Sequence, residues 1–314
     1  MNSVEQLIVS STIDYSTDLI CYRLEQRGKR YLRVNRDRFG EYKIGYDLSQ
    51  DILQVEMDGD IYQIEPGTLK SIYFRAPVFL RTDKAYSLER QLYRSQWSSF
   101  IRNLIIFDGA KWMNHPVATY RAENKLYQLK CAKRLGLNVP KTYVGNSVPK
   151  DLSLTSSYIV KSLDTALFYE DGDELFTYST MVMGQELLDY ELKSAPIVLQ
   201  ECLQNKVDLR VTIVGERVFP VSITTEGVGI EGDWRRLEKE RLRYTPVIIP
   251  DKVTEQLLAL MRLLRLEFGG IDLAIVDDTY YFIEVNPTGE WGWLTSAAHL
   301  PIDSAIVDAL VEEG

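Results

Sequence analysis

The sequence contains little histidine and little cysteine. Its 314 residues include two histidines, His115 and His299, and three cysteines, Cys21, Cys131 and Cys202. Two histidines nearly exclude a histidine-based catalytic triad or a histidine-rich metal site. Any bound metal therefore has to be a hard cation on oxygen ligands. The cysteines are odd in number and far apart, which argues against a disulfide framework and a zinc site and favours free thiols in a reducing compartment.

Two further absences narrow the class of protein. No apolar run approaches the roughly 18 residues that a membrane span needs, and Met1–Ser10 lacks a basic stretch ahead of an apolar one. We therefore expect no signal peptide, no membrane partner and a cytoplasmic location. Basic charge is not in excess either, since 36 Lys and Arg against 45 Asp and Glu give a net charge of −9. That balance argues against nonspecific nucleic-acid binding.

The composition is that of an ordinary globular chain, with 45% hydrophobic and 26% charged residues, and the length suggests about two domains or one multi-lobed enzyme. Periodicity predicts helices at Thr17–Gln26, Lys84–Ile105, Tyr120–Leu135, Gln185–Leu192, from a capping Asp251 to the glycines at 269–270, and at Ala297–Val311. It predicts strands at Tyr31–Val34, Tyr42–Tyr46, Ile52–Met57, Ile61–Ile64, Tyr158–Lys161, Ile197–Cys202, Leu209–Val214, Arg217–Ile223, Ile271–Val276 and Tyr280–Val285, with hairpins at Asp58-Gly59 and around Asp171-Gly172-Asp173.

The strongest chemical signal is GGIDLAIVDDTYYFIEVNPTGEW, residues 269–291. Side chains alternate faces along a strand, so Glu284 and Asn286 share one face. If residues 277–279 form a three-residue loop, Asp272 lies directly opposite Glu284, with Cβ atoms about 5 Å apart. Two opposed carboxylates and an amide oxygen suit Mg²⁺. The alternative is a solvated hairpin face, and a two-residue loop would break the required register.

Two lysines stand at positions suited to phosphates. Lys161 ends an apolar strand and can offer a point charge, although a lysine in this place is more often a strand-end residue whose stem lies on apolar surface. Lys125 lies on a predicted helix and carries no functional signal by itself.

The segment QECLQNKVDLRV connects two predicted strands. Gln200 and Glu201 end the first strand, and Asp208 and Arg210 open the second. Such a connection can present backbone edges to a purine, a carboxylate to ribose hydroxyls and a guanidinium to phosphates. The alternative, favoured on spacing alone, is an edge salt bridge between Asp208 and either Arg210 or Lys206.

Three glycines, Gly227, Gly229 and Gly232, precede Trp234 and Arg235. Glycines allow mobility and arginines match phosphate charge, so this segment can be a lid over a triphosphate. A plain surface loop is an equal alternative.

Five motifs follow one another along the chain: NK in a helix, IVK, QE…DLRV, a glycine-rich loop and ID…IEVNP. In this order they resemble the motifs of the ATP-grasp superfamily. A narrower resemblance, over nearly the whole chain, is to the ATP-grasp ligases that cross-link ribosomally made peptides, the microviridin-type macrocyclases of graspetides (omega-ester peptides). It is carried by DYSTD (14–18), RVNRD (33–37), YFRAP (73–77), the segment 114–142, and VTIVGERVFPVSI followed by DWR (233–235).

The resemblance implies a nucleotide and metal site. Its residues would be Lys125 and Lys161 at the phosphates of ATP, Gln200 and Glu201 at the adenine, Asp208 at the ribose, Arg210 and Arg235 at the γ-phosphate or acyl phosphate, and Asp272, Glu284 and Asn286 at Mg²⁺. Of these, Arg210, Arg235 and Lys161 are the expected catalytic residues.

The resemblance also implies a docking surface for the leader segment of a precursor peptide, here within Leu167–Leu192. The acidic residues that could meet a basic or amphipathic leader helix are Asp171, Asp173, Glu174, Glu186, Asp189 and Glu191. The alternative for each of them is a solvated charged face.

The expected fold is α/β (α+β), with two lobes that sandwich ATP. Residues 1–113 would form an N-terminal α/β domain, residues 114–195 a central lobe with the docking hairpin and helix, and residues 196–314 a C-terminal lobe with the metal site. A homodimer is also implied.

The implied reaction is ADP-forming. Asp or Glu side chains of the precursor become acyl phosphates and are joined to Ser or Thr hydroxyls or to Lys amines, which closes ester or amide rings. The alternatives are a ligase that adds an amino acid to a protein or small molecule, and a non-catalytic ATP-binding scaffold.

Overall fold

The strands form five sheets in a computed structural model that describes residues 2–75, 87–163, 167–170, 173–176, 178–190 and 192–312. Two sheets belong to the N-terminal part, one sheet and one separate hairpin to the central part, and one sheet to the C-terminal part. In the described part of the chain, no helix combines the length and the apolar composition that crossing a membrane requires.

The N-terminal part contains a parallel sheet and a second, mostly antiparallel sheet. Its elements are β1 (Asn2–Ser3), β2 (Gln6–Ser10), α1 (Tyr15–Gln26), β3 (Tyr31–Asn35), β4 (Lys43–Asp47), β5 (Ile52–Met57), β6 (Asp60–Ile64), β7 (Ser71–Phe74), α2 (Leu88–Asn103) and β8 (Lys111–Met113). The parallel sheet has the order β3-β2-β7-β8, and the second sheet has the order β1-β6-β5-β4. The turn predicted at Asp58-Gly59 joins β5 to β6, and both residues have positive φ.

Helix α2 is shorter than predicted, and only part of its predicted apolar face is buried. The expected start at Lys84 lies outside the described residues. Ile101 and Leu104 are buried, whereas Leu88 and Leu92 are exposed. The C-terminal half of α2 therefore packs on the N-terminal core, and the first turns do not.

The single helix predicted at Tyr120–Leu135 is two helices, α3 (Pro116–Ala122) and α4 (Lys125–Arg134). Asn124 has an extended backbone, and its Nδ2 donates to the carbonyl oxygen of Tyr120 at 2.9 Å. In a continuous helix that carbonyl would bond the backbone N–H of Asn124. Local side-chain bonds of this kind compete with helix propagation.

The central part contains an antiparallel sheet and a separate hairpin. Its strands are β9 (Thr142–Gly145), β10 (Ser157–Lys161), β11 (Leu167–Glu170), β12 (Asp173–Phe176), β13 (Thr180–Met183) and β14 (Ile197–Glu201). The sheet order is β13-β10-β14-β9, and β11 pairs with β12 as predicted. Strand β14 pairs with β10 and β9, although the expected boundary at 195/196 places it in the C-terminal lobe. Of the helix predicted at Gln185–Leu192, the described residues form a 3-10 turn at Glu186–Leu188, and Leu192 begins a second one that ends at Ser194.

The C-terminal part is a five-stranded antiparallel sheet with helices on both faces. Its elements are β15 (Val207–Val214), β16 (Arg217–Thr225), β17 (Leu242–Pro246), α5 (Asp251–Leu264), β18 (Phe268–Val276), β19 (Thr279–Asn286), α6 (Gly292–Ala297) and α7 (Ile302–Val311). The order is β17-β16-β15-β18-β19. Apolar residues of α4 and α5, such as Leu129 and Leu257, pack on Val211 and Phe282 in one buried cluster.

Helix α5 differs from the prediction at both ends. Asp251 is its first residue rather than its cap, and Pro250 occupies the cap position without a side-chain hydrogen bond. The helix ends before Arg265, which has left-handed backbone angles (φ 59°, ψ 44°). Gly269 and Gly270, which were predicted to stop the helix, lie in β18.

The closing helix predicted at Ala297–Val311 is α7, which begins five residues later than predicted, and Ala297 is the last residue of the separate helix α6. Pro301 is the residue before α7. At this position the backbone N–H that proline lacks would have no partner within the helix. Ile302 and Ile306 of α7 are buried in a cluster with Ile20 of α1. The end of the chain thus packs against its beginning, which places the N-terminal part beside the C-terminal sheet.

Candidate functional site

The β18–β19 hairpin places Asp272 directly opposite Glu284, as predicted, but by a different route. The loop has two residues, Asp277 and Asp278, both with positive φ, and not three. A two-residue loop alone would set Asp272 opposite Ile283. The register shifts by one residue just beyond Asp272, so Ile283 has no partner in the ladder. This bulge restores the opposition of the two carboxylates.

The three residues predicted to bind a metal form one cluster, and each carboxylate has a cationic partner. Arg210 Nη1 lies 2.8 Å from Asp272 Oδ1, and Lys125 Nζ lies 2.9 Å from Glu284 Oε2. Asn286 Nδ2 lies 3.3 Å from Asp272 Oδ2 and 3.4 Å from Glu284 Oε1. The amide of Asn286 therefore lies between the two carboxylates.

The two carboxyl groups differ in their tendency to ionise. Burial raises the pKa of Asp272 despite the adjacent Arg210, and the charge of Glu284 adds to the rise. Burial would also raise the pKa of Glu284, but Lys125 and Lys161 outweigh it and hold that pKa well below its ordinary value. A cation between the two groups would favour the charged form of both.

The donor set fits a hard divalent cation. Mg²⁺ takes oxygen ligands, commonly one or two carboxylates together with substrate phosphates and water. A half-turn of the Asn286 amide would present Oδ1 instead of Nδ2 to the same position. No group of three or more His, Cys, Asp or Glu side chains suited to a metal occurs within the described ranges. Phosphate oxygens and water would have to supply the other ligands at this site.

Arg210 lies in a slot that two glycines leave open. A Cβ atom at Gly270 or at Gly289 would overlap its guanidinium group. The side chain is buried, and its Nη2 donates to the backbone oxygen of Glu290 at 3.3 Å. Its Nε is buried and has no hydrogen-bond partner among the described residues. Such a donor suits an anionic oxygen.

On the opposite side of the cleft, Lys161 and Gln200 are held in a chain of hydrogen bonds. Lys161 Nζ donates to Gln200 Oε1 at 2.8 Å, and Gln200 Nε2 donates to Thr142 Oγ1 at 3.0 Å. Burial lowers the pKa of Lys161, against the opposing effect of Glu284. The next residue, Glu201, is exposed at the end of β14.

Asp208 forms an ion pair with Lys206, and Arg210 pairs with Asp272 instead. The salt bridge considered as an alternative is thus present for Lys206 and absent for Arg210. Both Lys206 and Asp208 nevertheless line the cleft. Burial raises the pKa of Asp208 to about 6, with Lys206 opposing the rise.

The loop that contains Arg235 contacts the central part of the chain. Asp233 accepts a hydrogen bond from the backbone N–H of Ser179 at 3.2 Å, and Arg236 donates to Thr180 Oγ1 at 2.9 Å. The side chain of Arg235 donates twice to Asp233, from Nε at 2.8 Å and from Nη2 at 2.9 Å, and its backbone N–H donates to the same carboxylate at 3.1 Å. These contacts connect the loop after β16 with the start of β13.

These side chains line one cleft of about 530 Å³ between the central and C-terminal sheets. All residues predicted for the nucleotide and the metal line it: Lys125, Lys161, Gln200, Glu201, Asp208, Arg210, Arg235, Asp272, Glu284 and Asn286. Lining residues without a predicted role include Ile159, Tyr178, Leu203, Lys206, Asp233, Trp234, Glu290 and Trp293. Most of these residues lie within or beside the motifs already quoted, such as Asp233 and Trp234 in DWR and Glu290 just after IEVNP. Tyr178 and Trp293 lie outside those motifs and had no such signal.

The residues predicted to meet a leader peptide are only partly described. The carboxylate of Glu186 accepts a hydrogen bond from the backbone N–H of Met183 at 2.6 Å, so it supports the turn after β13. Asp189 is exposed. Asp171 and Glu191, and the side chains of Asp173 and Glu174, lie outside the described residues.

Fold and cleft together define the ATP-grasp class, in which two sheets enclose a nucleotide site. A family model described as a RimK-like ATP-grasp domain matches residues 122–310, more than half of the chain. The chain belongs to this family. The fold expected from the sequence is thereby confirmed.

Several solved structures resemble the whole chain. The macrocyclase MdnC from Microcystis aeruginosa MRC, bound with precursor peptide MdnA, is 25% identical with a TM-score of 0.84, over 99% of this chain and 100% of that one. The RiPP-associated ATP-grasp ligase of Chryseobacterium gregarium, in complex with ADP and a leader and core peptide, is 22% identical with a TM-score of 0.83, over 99% and 96%. The macrocyclase MdnB from Microcystis aeruginosa MRC is 23% identical with a TM-score of 0.77, over 100% of both chains. A comparison with curated proteins gives no significant match.

Proposed function

We propose that this chain is an ADP-forming ligase that closes rings in a ribosomally made precursor peptide. It activates Asp or Glu side chains of the peptide and joins them to Ser or Thr hydroxyls or to Lys amines. The observation that carries the proposal is the full-length likeness to MdnC, a macrocyclase bound with its precursor peptide. The cleft supports it, because the ten residues expected at ATP and Mg²⁺ converge there.

Within this proposal, the two sides of the cleft have different tasks. Gln200 and Glu201 would meet the adenine, and Asp208 the ribose hydroxyls. Lys125 and Lys161 would bind phosphate oxygens, which suits lysines that the fold already holds in hydrogen bonds.

Asp272, Glu284 and Asn286 would hold Mg²⁺, whose chemical contribution is to neutralise the phosphate oxygens of ATP. Arg210 would present its buried guanidinium to the charge that develops at the γ-phosphate. Arg235, on the loop that contacts both sides of the cleft, would add a second cation there.

The reaction requires positioning more than covalent chemistry. A carboxylate oxygen of the peptide attacks the γ-phosphorus of ATP, the bond from this phosphorus to the bridging oxygen breaks, and ADP leaves. A hydroxyl or amine of the same peptide then attacks the carbonyl carbon of the acyl phosphate, and phosphate leaves. Exclusion of water from the reacting groups in this step would protect the acyl phosphate from hydrolysis.

The leader segment of the precursor would bind near β13 and the turn that follows it. This surface exposes Met181, Met183, Leu188 and Tyr190 together with the carboxylate of Asp189. An amphipathic helix with an apolar face and flanking basic residues matches such a surface. The division into three domains, a cytoplasmic location and a homodimer belong to the same proposal.

The test is the intact mass of a candidate precursor incubated with the protein, ATP and Mg²⁺, with ATP omitted as the control. The proposal requires the loss of one water per bond, only with ATP, and hydroxide lability then separates esters from amides. A gain of one amino-acid residue would instead identify an amino-acid ligase. If neither the mass nor ADP changes with any candidate, the proposal fails and a non-catalytic scaffold becomes the better interpretation.

A further inference from the structure

One carboxylate of the cleft, Glu290, has no role among the residues expected at ATP or Mg²⁺. It lies four residues beyond Asn286, on the loop that follows β19, and its side chain is 64% exposed. A Cβ atom at the residue before it, Gly289, would overlap the guanidinium of Arg210 and lie close to Asn286. Glu290 therefore belongs to the phosphate end of the cleft, and not to the adenine end.

Two groups from the N-terminal part hold the carboxylate of Glu290. Arg75 Nη2 donates to its Oε1 at 2.5 Å, and Ser16 Oγ donates to its Oε2 at 2.8 Å. Arg75 follows β7, is almost fully buried and also pairs with Asp14 at 2.9 Å. Neither Arg75 nor Ser16 lines the cleft. The carboxylate is thus fixed from behind, while its exposed side is directed to the space of the cleft.

The backbone that carries Glu290 is fixed as well. Four successive carbonyl groups, of residues 287–290, accept hydrogen bonds from side chains. The donors are Asn114 for Pro287 at 2.8 Å, Arg75 for Thr288 at 3.2 Å and Gly289 at 3.1 Å, and Arg210 for Glu290 at 3.3 Å. A catalytic group needs this kind of preorganisation.

Two other carboxylates at this end, Asp272 and Glu284, have cationic partners that themselves line the cleft. Arg210 pairs with Asp272, and Lys125 pairs with Glu284. Both carboxylates are mostly buried and suited to Mg²⁺. Glu290 differs, because its cation lies outside the cleft and most of its side-chain surface is open to a substrate.

We infer that Glu290 is the catalytic residue that accepts the proton of the attacking hydroxyl or amine. This inference rests on the proposed function and concerns its second step. The acceptor oxygen or nitrogen forms a bond to the carbonyl carbon of the acyl phosphate, and its proton passes to the carboxylate of Glu290. The bond between that carbon and the phosphate oxygen breaks, and phosphate leaves with the electron pair. Glu290 then releases the proton to water through its exposed side.

The chemistry favours a carboxylate in this place. A hydroxyl attacks slowly unless a base accepts its proton as the bond forms, and a fixed side chain in this role contributes roughly 10²–10⁴-fold to a rate. Protein kinases use an aspartate in the same way for the hydroxyl that attacks ATP. The two histidines do not line the cleft, so neither is the base.

The experiment separates the two steps with hydroxylamine. This small nucleophile needs no base, and it converts an acyl phosphate to a hydroxamate. Wild type, Glu290→Gln and Glu216→Gln are incubated with precursor, ATP and Mg²⁺, and both ring formation and hydroxamate formation are measured. Glu216 is the matched control, since it pairs with Arg262 at 3.2 Å on the β15–β16 turn and does not line the cleft.

We expect Glu290→Gln to form hydroxamate at the wild-type rate and to close rings about 10²-fold more slowly or worse. Ring closure at the wild-type rate would overturn the inference. So would the loss of both products, which would indicate a role in activation or folding. Glu123→Gln is tested beside it, because Glu123 also lines the cleft, and a selective loss of ring closure there alone would transfer the role to Glu123. If wild type forms neither product from any candidate precursor, the proposed function itself fails, a result distinct from a defect confined to Glu290→Gln.

Discussion

The guanidinium of Arg210 occupies the space that a Cβ atom of Gly270 would take. The two residues lie on neighbouring strands, and Arg210 is directly opposite Asp272 in the ladder between β15 and β18. Gly270, two residues earlier on the same face, leaves the room that the arginine needs to reach the carboxylate of Asp272. The absence of a side chain at residue 270 thus determines the position of a charge at the phosphate end of the cleft.

A methyl group at residue 270 should therefore inactivate the protein without unfolding it. In Gly270→Ala the guanidinium has to leave Asp272, and misplacement of a catalytic group by about 1 Å can cost about 10²-fold in rate. Precursor-dependent ADP release measures the effect, and thermal unfolding monitors the fold. The control is Gly45→Ala, at a strand glycine with open space around it. Equal rates for the two variants would contradict the assigned role of Arg210.

Removal of the charge at Glu284 should abolish turnover. Glu284→Gln takes away one of the two opposed carboxylates and the partner of Lys125, so precursor-dependent ADP release should fall by about 10²-fold or more. Asp278→Asn makes the same chemical change in the exposed loop of the hairpin and should leave the rate unaltered. Normal turnover in Glu284→Gln would remove this residue from the site.

ATP binding should weaken as the pH falls through about 6, the value to which burial raises the pKa of Asp208. The neutral carboxyl group accepts hydrogen bonds from ribose hydroxyls less well, so affinity should decline by up to about tenfold per pH unit below that value. This group binds its proton more tightly in the folded than in the unfolded state, so its own protonation does not destabilise the fold.

Calorimetric titration with ATP between about pH 5 and pH 8 measures this dependence. Asp208→Asn is the reference, because the phosphates of ATP titrate in the same range in both proteins. Its affinity should be lower at neutral pH and should change less with pH. Identical pH profiles for the two proteins would exclude Asp208 as the titrating group.

A charge reversal at Asp189 should weaken precursor binding and spare ATP. Asp189 is exposed beside the apolar residues after β13, whereas the neighbouring Glu186 supports the backbone of Met183 and would confuse the test. We expect severalfold weaker leader binding for Asp189→Lys by calorimetry, with unchanged ATP affinity. Asp60→Lys, on the distant second N-terminal sheet, controls for the change in net charge. Unaltered leader affinity in Asp189→Lys would place the docking surface elsewhere.

Local pattern was sufficient for most elements. All five apolar positions expected along α5, from Val253 to Leu264, are buried. The failures occur where a side chain or a proline interrupts a regular pattern. Asn124 takes the carbonyl of Tyr120 and ends α3, and Pro301 separates α6 from α7. The hydrophobic pattern continues across both interruptions, so it does not show where the helices end.

The sequence by itself determined which residues carry the chemistry of this protein. Because histidine is nearly absent, any bound metal had to be a hard cation on oxygen ligands. The order of the lysines, the QE…DLRV segment and the IEVNP strand indicated a nucleotide site. Their types and order are properties of the chain, so no folding was needed to read them.

The tertiary structure alone decided how these residues meet. The bulge at Ile283 restores the opposition of Asp272 and Glu284, and Gly270 admits Arg210. Arg75, more than 200 residues away in sequence, fixes Glu290 in the cleft. Each of these relations depends on the close approach of separate elements, and packing between distant segments leaves no periodic signal in a single sequence.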